Sequence, residues 1–269
     1  MFGPREDRFL LIPLHLTLSS DEQAQVFRKA SKGKRKIVLS TNIAEIQPVP
    51  EIHRIPLEPF LLRIKTLETF RGQSLKEVLR STIEPPSDEN IDAAKERLVD
   101  VGAFDLEEQL TALGYHLAAL PVDVRIGKLM LFGAIFQCLD SVLTIAACLS
   151  YKSPFVSPFN KRDEAESRKR LFGIANSDHL TMLNAYRKWK ETSKRSRYAA
   201  NCYAEENYLS TKTLHTIDEI KQQFLELLVS IGFVPLDFSS RREKFVKDEL
   251  TGTEINSNGE NNRLLVAIL

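Results

Sequence analysis

Between positions 158 and 200 lie eleven basic and five acidic residues, a net charge of +6. Tyr186, Trp189, Tyr198, Tyr203 and Tyr208 interleave there and just beyond with Arg187, Lys188, Lys190, Lys194, Arg195 and Arg197. Cations track phosphates and aromatic faces stack on bases, so this pattern fits binding of single-stranded nucleic acid. The competing reading makes Trp189 and the tyrosines the core of a helical bundle and the cations its wet face. Arg28 to Lys36 adds six basic residues and no acid, and residues 87–110 carry eight acids against Lys95 and Arg97, a net of −6. Charge runs of this kind are as easily solvated faces as binding sites.

Independent catalysis finds little support. A P-loop needs G-x-x-x-x-G-K-[ST], because backbone N–H groups and the lysine cradle phosphates while the hydroxyl holds Mg²⁺. Gly127-Lys128 lacks both the earlier glycine and the following hydroxyl, and it sits in an apolar helical run. His15, His53, His116, His179 and His215 are scattered, with no HExxH spacing, so no metal site is expected. No strand–GxSxG–helix context suggests a nucleophile. The carboxylates at 88–108 read as a solvated face rather than an acid/base pair. No catalytic residue is assigned.

The composition is that of an ordinary soluble protein: 269 residues, 43% hydrophobic, 27% charged, formal net charge +1. Cys138, Cys148 and Cys202 show no CxxC spacing and suggest buried thiols in a reducing compartment. Arg5, Glu6, Asp7 and Arg8 stand where the apolar core of a signal peptide would begin. No apolar run approaches the roughly 20 residues of a membrane span, so no membrane partner is expected. The expected compartment is cytoplasmic, or alternatively nuclear.

The elements that must position these residues follow from periodicity. "FLLIPLH" (9–15) and "KIVLST" (36–41) read as strands buried on two faces, the parallel-sheet pattern. Ser20-Asp21-Glu22-Gln23 has capping-box form and opens a helix between them, giving a βαβ unit. Pro48, Pro50, Pro56 and Pro59 mark a connector. Three short helices follow: one from Phe60 with Leu61, Ile64, Leu67 and Phe70 on one stripe, "SLKEVLRSTI", and "NIDAAKERLVDVGAF" ending near Gly102. With a short hairpin, and a turn-like element at Thr111–Gly114, they make a winged-helix pattern. From Pro121 to Phe233 the chain is helical by period, with "RIGKLMLFGAIFQCL" and "SVLTIAACLS" too apolar for surface helices. The polar stretch after Pro235 reads as loop, and "RLLVAIL" is an apolar element with no obvious place to bury.

The order "FLLIPLH…SSDEQAQVF…KIVLSTNIAE", "PEIHRIPLEPFLLRIKTLE", "TIEPP", "LTALGYHLAALPVDVRIGKLMLFGAIFQCLDSVLTIAACLSYKSPFVSP" and "NYLSTKTL" resembles the C-terminal half of a DEAH-box RNA helicase. The block from Leu110 to Pro158 is its most specific part. The resemblance implies a mainly α fold. Residues 1–45 would be a βαβ remnant of the second RecA-like domain, 46–52 a connector at a deletion junction, and 53–117 a winged helix. Residues 118–235 would be a helical-bundle "ratchet" domain, and 236–269 a polar loop and the start of a truncated OB-fold. T-N-I-A-E resembles motif V, whose threonine touches the RNA backbone, which assigns Thr41 with Asn42 beside it. "PLH" resembles motif IV, where a hydroxyl meets a phosphate, which assigns Thr17. Arg187, Lys188, Lys190, Lys194, Arg195 and Arg197 are the basic candidates for the RNA channel.

Missing against that family are the P-loop, the DEAH box, and everything between motif V and P-E-I-x-R, including the arginines of motif VI. Such arginines are worth about 10³-fold or more in rate. The expectation is therefore a fragment or isoform of an ATP-dependent helicase that keeps RNA-binding accessory domains but neither hydrolyses ATP nor unwinds RNA alone. ATP and Mg²⁺ serve the intact family, and no cofactor is expected for this chain. The expected partner is single-stranded RNA, bound weakly and without sequence preference, along with protein partners of the helicase C-terminal domains. Two alternatives remain: an interaction module that docks a partner or a helicase in trans, and an incomplete gene model with no independent function.

Overall fold

The computed structural model describes residues 9–14, 35–40, 51–70, 72–235 and 254–269. It separates into two compact units, 1–55 and 56–269.

In the first unit, β1 (Phe9–Leu14) and β2 (Arg35–Ser40) pair in parallel, Phe9 opposite Arg35 through Leu14 opposite Ser40. A short 3₁₀ turn spans Glu51–His53. The helix expected around Ser20 to Phe27 lies outside the described residues, as do Thr17, Thr41, Asn42 and the Glu45–Ile46 junction. A complete βαβ unit is therefore not on view.

The second unit is helical. Its first part holds α1 (Glu58–Thr66), α2 (Leu75–Arg80), α3 (Asp88–Val101) and α4 (Ala112–Ala119). Ser74 and Glu77 form a reciprocal capping box on α2, and the Ser87 hydroxyl accepts from Asn90 N–H at the start of α3. At the other end of α3, Gly102 takes φ +83°, and Ala103 N–H returns to the Leu98 carbonyl at 2.8 Å. A side chain there would be strained, which is why glycine ends the helix. Leu61, Leu62, Leu75, Leu79, Ile91 and Leu98 fill the space between α1, α2 and α3 and are buried almost completely. Each contributes roughly 1.5–3 kcal/mol by leaving water.

Two details depart from the periodicity. Helix α1 stops at Thr66, so Leu67 is half exposed and Phe70 lies in a separate 3₁₀ turn instead of on the same stripe. The turn expected at Thr111–Gly114 is the start of α4: the Thr111 hydroxyl accepts from Gly114 N–H at 3.0 Å and caps a helix that runs to Ala119. A local capping pattern looks the same in a turn as in a helix start. The hairpin is reduced to one antiparallel bridge, Phe104 with Leu110.

The bundle follows with α5 (Val124–Ile135), α6 (Leu139–Ser150), α7 (Arg162–Arg170), α8 (Asp178–Arg195), α9 (Arg197–Glu206) and α10 (Thr211–Ser230). Helix α6 is its axis: every residue from Leu139 to Cys148 is buried, and α5, α8 and α10 pack around it. An all-round apolar helix must sit inside in this way. A Cβ on Gly133 would come within 2.7 Å of Val142, so that glycine sets how closely α5 approaches α6. Gly127 is buried within α5, and Lys128 Nζ donates to the Val101 carbonyl at 2.7 Å, a bridge to α3 with no phosphate-loop geometry.

The final apolar run is buried only in part, with Val266 and Leu269 exposed. It forms α11 (Asn262–Ile268), which packs on α5 and buries Leu265 fully.

Candidate nucleic-acid interface

Helix α8 presents two faces. Its N-terminus is fixed by the Ser177 hydroxyl, which accepts from Leu180 N–H. Leu180, Leu183, Tyr186 and Trp189 recur every three residues and are buried, with Trp189 only 1% exposed. Trp189 meets His215 edge to face at 5.1 Å and is tilted against Tyr186 at 5.9 Å. Neither ring has a free face for a base, so for this pair the bundle-core reading holds.

The cations divide by partner. Lys190 Nζ lies 2.7 Å from both Asp218 carboxylate oxygens, and the Tyr186 hydroxyl donates to the same carboxylate. Burial first, and Asp218 second, push the Tyr186 hydroxyl well above its ordinary pKa. Behind them Lys221 Nζ pairs with Asp140 at 2.7 Å and sits over the Tyr186 ring at 5.2 Å. Arg187 is a clamp. Its Nη2 donates to Ser141 Oγ at 2.7 Å and the Gly259 carbonyl at 2.9 Å, and its Nη1 reaches Glu260 at 3.2 Å. Ser141 Oγ itself donates to the Gly259 carbonyl at 2.6 Å. The segment Glu254–Asn261 is thereby held on α6, with Asn256 Oδ1 accepting from Asp140 N–H at 3.0 Å and Asn258 bonded to the Phe136 and Gln137 carbonyls.

The outer face is different. Lys188 is exposed, 5.3 Å from the Phe172 ring centroid, and Lys194 is exposed in the last turn of α8. Arg195 and Arg197 flank Ser196, whose extended backbone (φ −167°, ψ 155°) joins α8 to α9. Both arginines are exposed and have no carboxylate partner among the described residues. Tyr198 follows at 79% exposed. Of the six sequence-assigned cations, then, Arg187 and Lys190 are part-buried and tied to Ser141, Gly259, Glu260 and Asp218, while Lys188, Lys194, Arg195 and Arg197 are exposed.

One feature escaped the sequence reading. Phe159 is 83% exposed in the 3₁₀ turn Phe159–Lys161, with the Arg162 guanidinium 5.2 Å from its ring centroid. No periodicity marks a residue in so short a turn.

Two domain patterns match the chain: helicase associated domain (HA2), winged-helix, over residues 96–122, and helicase associated domain (HA2), ratchet-like, over residues 123–182. The putative ATP-dependent RNA helicase DHX57 of Homo sapiens is 40% identical over 341 aligned residues, covering 98% of this chain and 25% of the relative. Together these matches support a C-terminal fragment of a DEAH-box RNA helicase. The ATP-dependent DNA/RNA helicase DHX36 of Rattus norvegicus is 36% identical over 98% of this chain and 32% of its own length. The ATP-dependent RNA helicase dhx29 of Xenopus laevis is 34% identical over 84% of the chain and 22% of its own length. The chain thus spans about a quarter to a third of the curated relatives it matches. The winged-helix match covers the end of α3 and all of α4, and the ratchet-like match covers α5, α6, α7 and the start of α8. The sequence holds no G-x-x-x-x-G-K-[ST] run, and among the described residues no cluster of His, Cys, Asp or Glu could hold a metal.

Proposed function

We propose that this chain is a part of a DEAH-box helicase that binds single-stranded RNA weakly and without sequence preference, and that it does not hydrolyse ATP or unwind RNA alone. The carrying observation is the outward face of α8 and α9, where Lys188, Lys194, Arg195, Arg197 and Tyr198 are all exposed and Arg195 and Arg197 have no carboxylate partner among the described residues. Thr41, Asn42 and Thr17 extend the same reading to residues 1–45 as part of the second RecA-like domain. The parallel pairing of β1 with β2 supports that, because parallel strands need a crossover of a dozen or more residues and positions 15–34 supply one. The DHX57 alignment runs over 341 residues and takes in 98% of the 269 here, so roughly 77 aligned positions have no counterpart in this chain, which leaves room for a missing segment of the kind this reading requires. The compartment in this reading is cytoplasmic.

Fluorescence titration of the whole chain with labelled single-stranded RNA tests the proposal. Affinity should fall linearly with salt on logarithmic axes. Replacing Lys194, Arg195 and Arg197 together by Gln should make that slope shallower by about 2, at roughly 0.7 per phosphate contact. Absence of salt-dependent binding at low ionic strength would sink it.

A second reading, docking of a protein partner or of a helicase in trans, draws on the winged helix. Ile83 and Leu106 are 101% and 92% exposed there. A complex that survives high salt and nuclease would favour it.

A further inference from the structure

We propose that Phe159, Lys161, Arg162 and Tyr208 form a base-stacking step for single-stranded nucleic acid, built from residues apart from the basic face of α8 and α9. The inference rests on the RNA-binding reading above and names a site for it.

Phe159 carries the argument. A phenyl ring in a folded protein normally buries most of its surface, yet this one is 83% exposed. Its turn buries no residue at all. Its ring meets the Arg162 guanidinium at 5.2 Å, which leaves the opposite face open. Pro154 and Pro158 restrict the segment before it, so the ring is displayed from a stiff stretch instead of a loose loop.

Tyr208 is the second ring, and its backbone is unusual. It follows α9 with φ +53°, the position and conformation in which glycine is the ordinary choice. A bulky side chain is kept there against the preference of its backbone. The conformation is held from three sides: the Tyr208 carbonyl accepts from Val156 N–H at 2.8 Å, Leu209 N–H returns to the Ala204 carbonyl at 2.8 Å, and Ser210 N–H donates to the Pro154 carbonyl at 2.9 Å. These bonds tie Tyr208 to the same segment that displays Phe159. Strain so over-determined is where function is worth seeking.

The cations alternate with the rings. Lys161 Nζ is 5.9 Å from the Tyr208 ring centroid, and Arg162 is the next residue. Among the described residues Lys161 pairs with Glu164, at 4.0 Å across a pair more than half exposed on both sides, an arrangement worth little in water. A base stacked on the open face of Phe159 would place its flanking phosphates beside Arg162 and Lys161. Ring, cation, cation, ring is the chemistry of sequence-tolerant single-strand binding.

The test compares two fluorescein-labelled oligonucleotides of equal length, one of uridines and one abasic, on the whole chain and on Phe159→Ala and Phe159→Trp. The wild-type chain should bind the uridine strand more tightly than the abasic one. Phe159→Ala should weaken the uridine strand on the order of tenfold, leave the abasic strand unchanged, and so erase the difference. Phe159→Trp should retain it. An exposed ring is not needed for folding, and an unchanged melting curve for Phe159→Ala would confirm that. If the wild-type chain binds both strands equally, or Phe159→Ala keeps the preference, the stacking site is overturned while RNA binding stands. If the wild-type chain binds neither, both readings fall.

Discussion

The acidic stretch around α3 and the basic stretch around α8 and α9 carry net charges of similar size and opposite sign, yet they use them differently. Around α3 several charges are paired with nearby residues: Asp88 with Arg80, Asp92 with Lys76, Glu108 with Lys95, Glu58 with Arg97. The Arg80 guanidinium bonded to Asp88 holds that carboxyl below its usual range, and Asp92 raises the Lys76 ammonium in the same way. On α8 and α9 the charges split. Arg187 and Lys190 are built into the core, whereas Arg195 and Arg197 stand outside it. Net charge of equal size is therefore partly paired among neighbours in one region, and in the other leaves exposed arginines facing outward. A phosphate chain is attracted only by the second.

The contrast is broken most forcefully at Trp189. Trp189→Ala should cost about 3–5 kcal/mol of stability, as a fully buried large aromatic does, measured by urea denaturation. If it instead weakens RNA binding with the unfolding midpoint unmoved, the division between core and interface within α8 is wrong.

Arg187→Ala should have a smaller effect, about 1.5–3 kcal/mol, because it removes charged hydrogen bonds to Ser141 and to the Gly259 carbonyl. Limited proteolysis should then cut within 254–269 sooner than in the wild-type chain. Loss of RNA binding with 254–269 still protected would move Arg187 to the outward group.

The third effect sharpens the regional difference through pH. Both buried thiols lie in the bundle, and burial pushes Cys148 up to about 12 and Cys138 up to about 11. An unfolded thiol releases its proton near pH 9, while the folded one keeps it, so the folded state binds more protons in between. Stability is intact below about pH 9 and falls as pH rises through that window. At pH 10 each thiol should account for about 1.4 kcal/mol. Cys148→Ala should flatten the alkaline limb of a melting-temperature profile without abolishing it, because Cys138 and Tyr186 shift in the same direction. An unchanged limb would place the alkaline sensitivity outside the bundle core.

Much of this architecture was legible one helix at a time. The "SLKEVLRSTI" helix, the Gly102 stop and the strongly apolar run of α6 are patterns within a few residues of one another, and each formed as its spacing indicated. The block from Leu110 to Pro158 carried the family in the same way. The burial of Leu265 in the apolar tail at 264–269 was not legible because it depends on α5, well over a hundred residues earlier in the chain.

The candidate site shows the limit most clearly. Arg187 and Arg195 are the same residue type on the same helix, and nothing local distinguishes them. Arg187 meets Ser141 and Gly259, which lie 46 and 72 residues away in sequence, while Arg195 meets no such group among the described residues. Sequence alone determined that a basic, aromatic-studded helical region exists here, because composition and helical period are local properties. Only the tertiary structure decided which of its cations face solvent and which rings keep an open face, because that depends on what the rest of the chain packs against them.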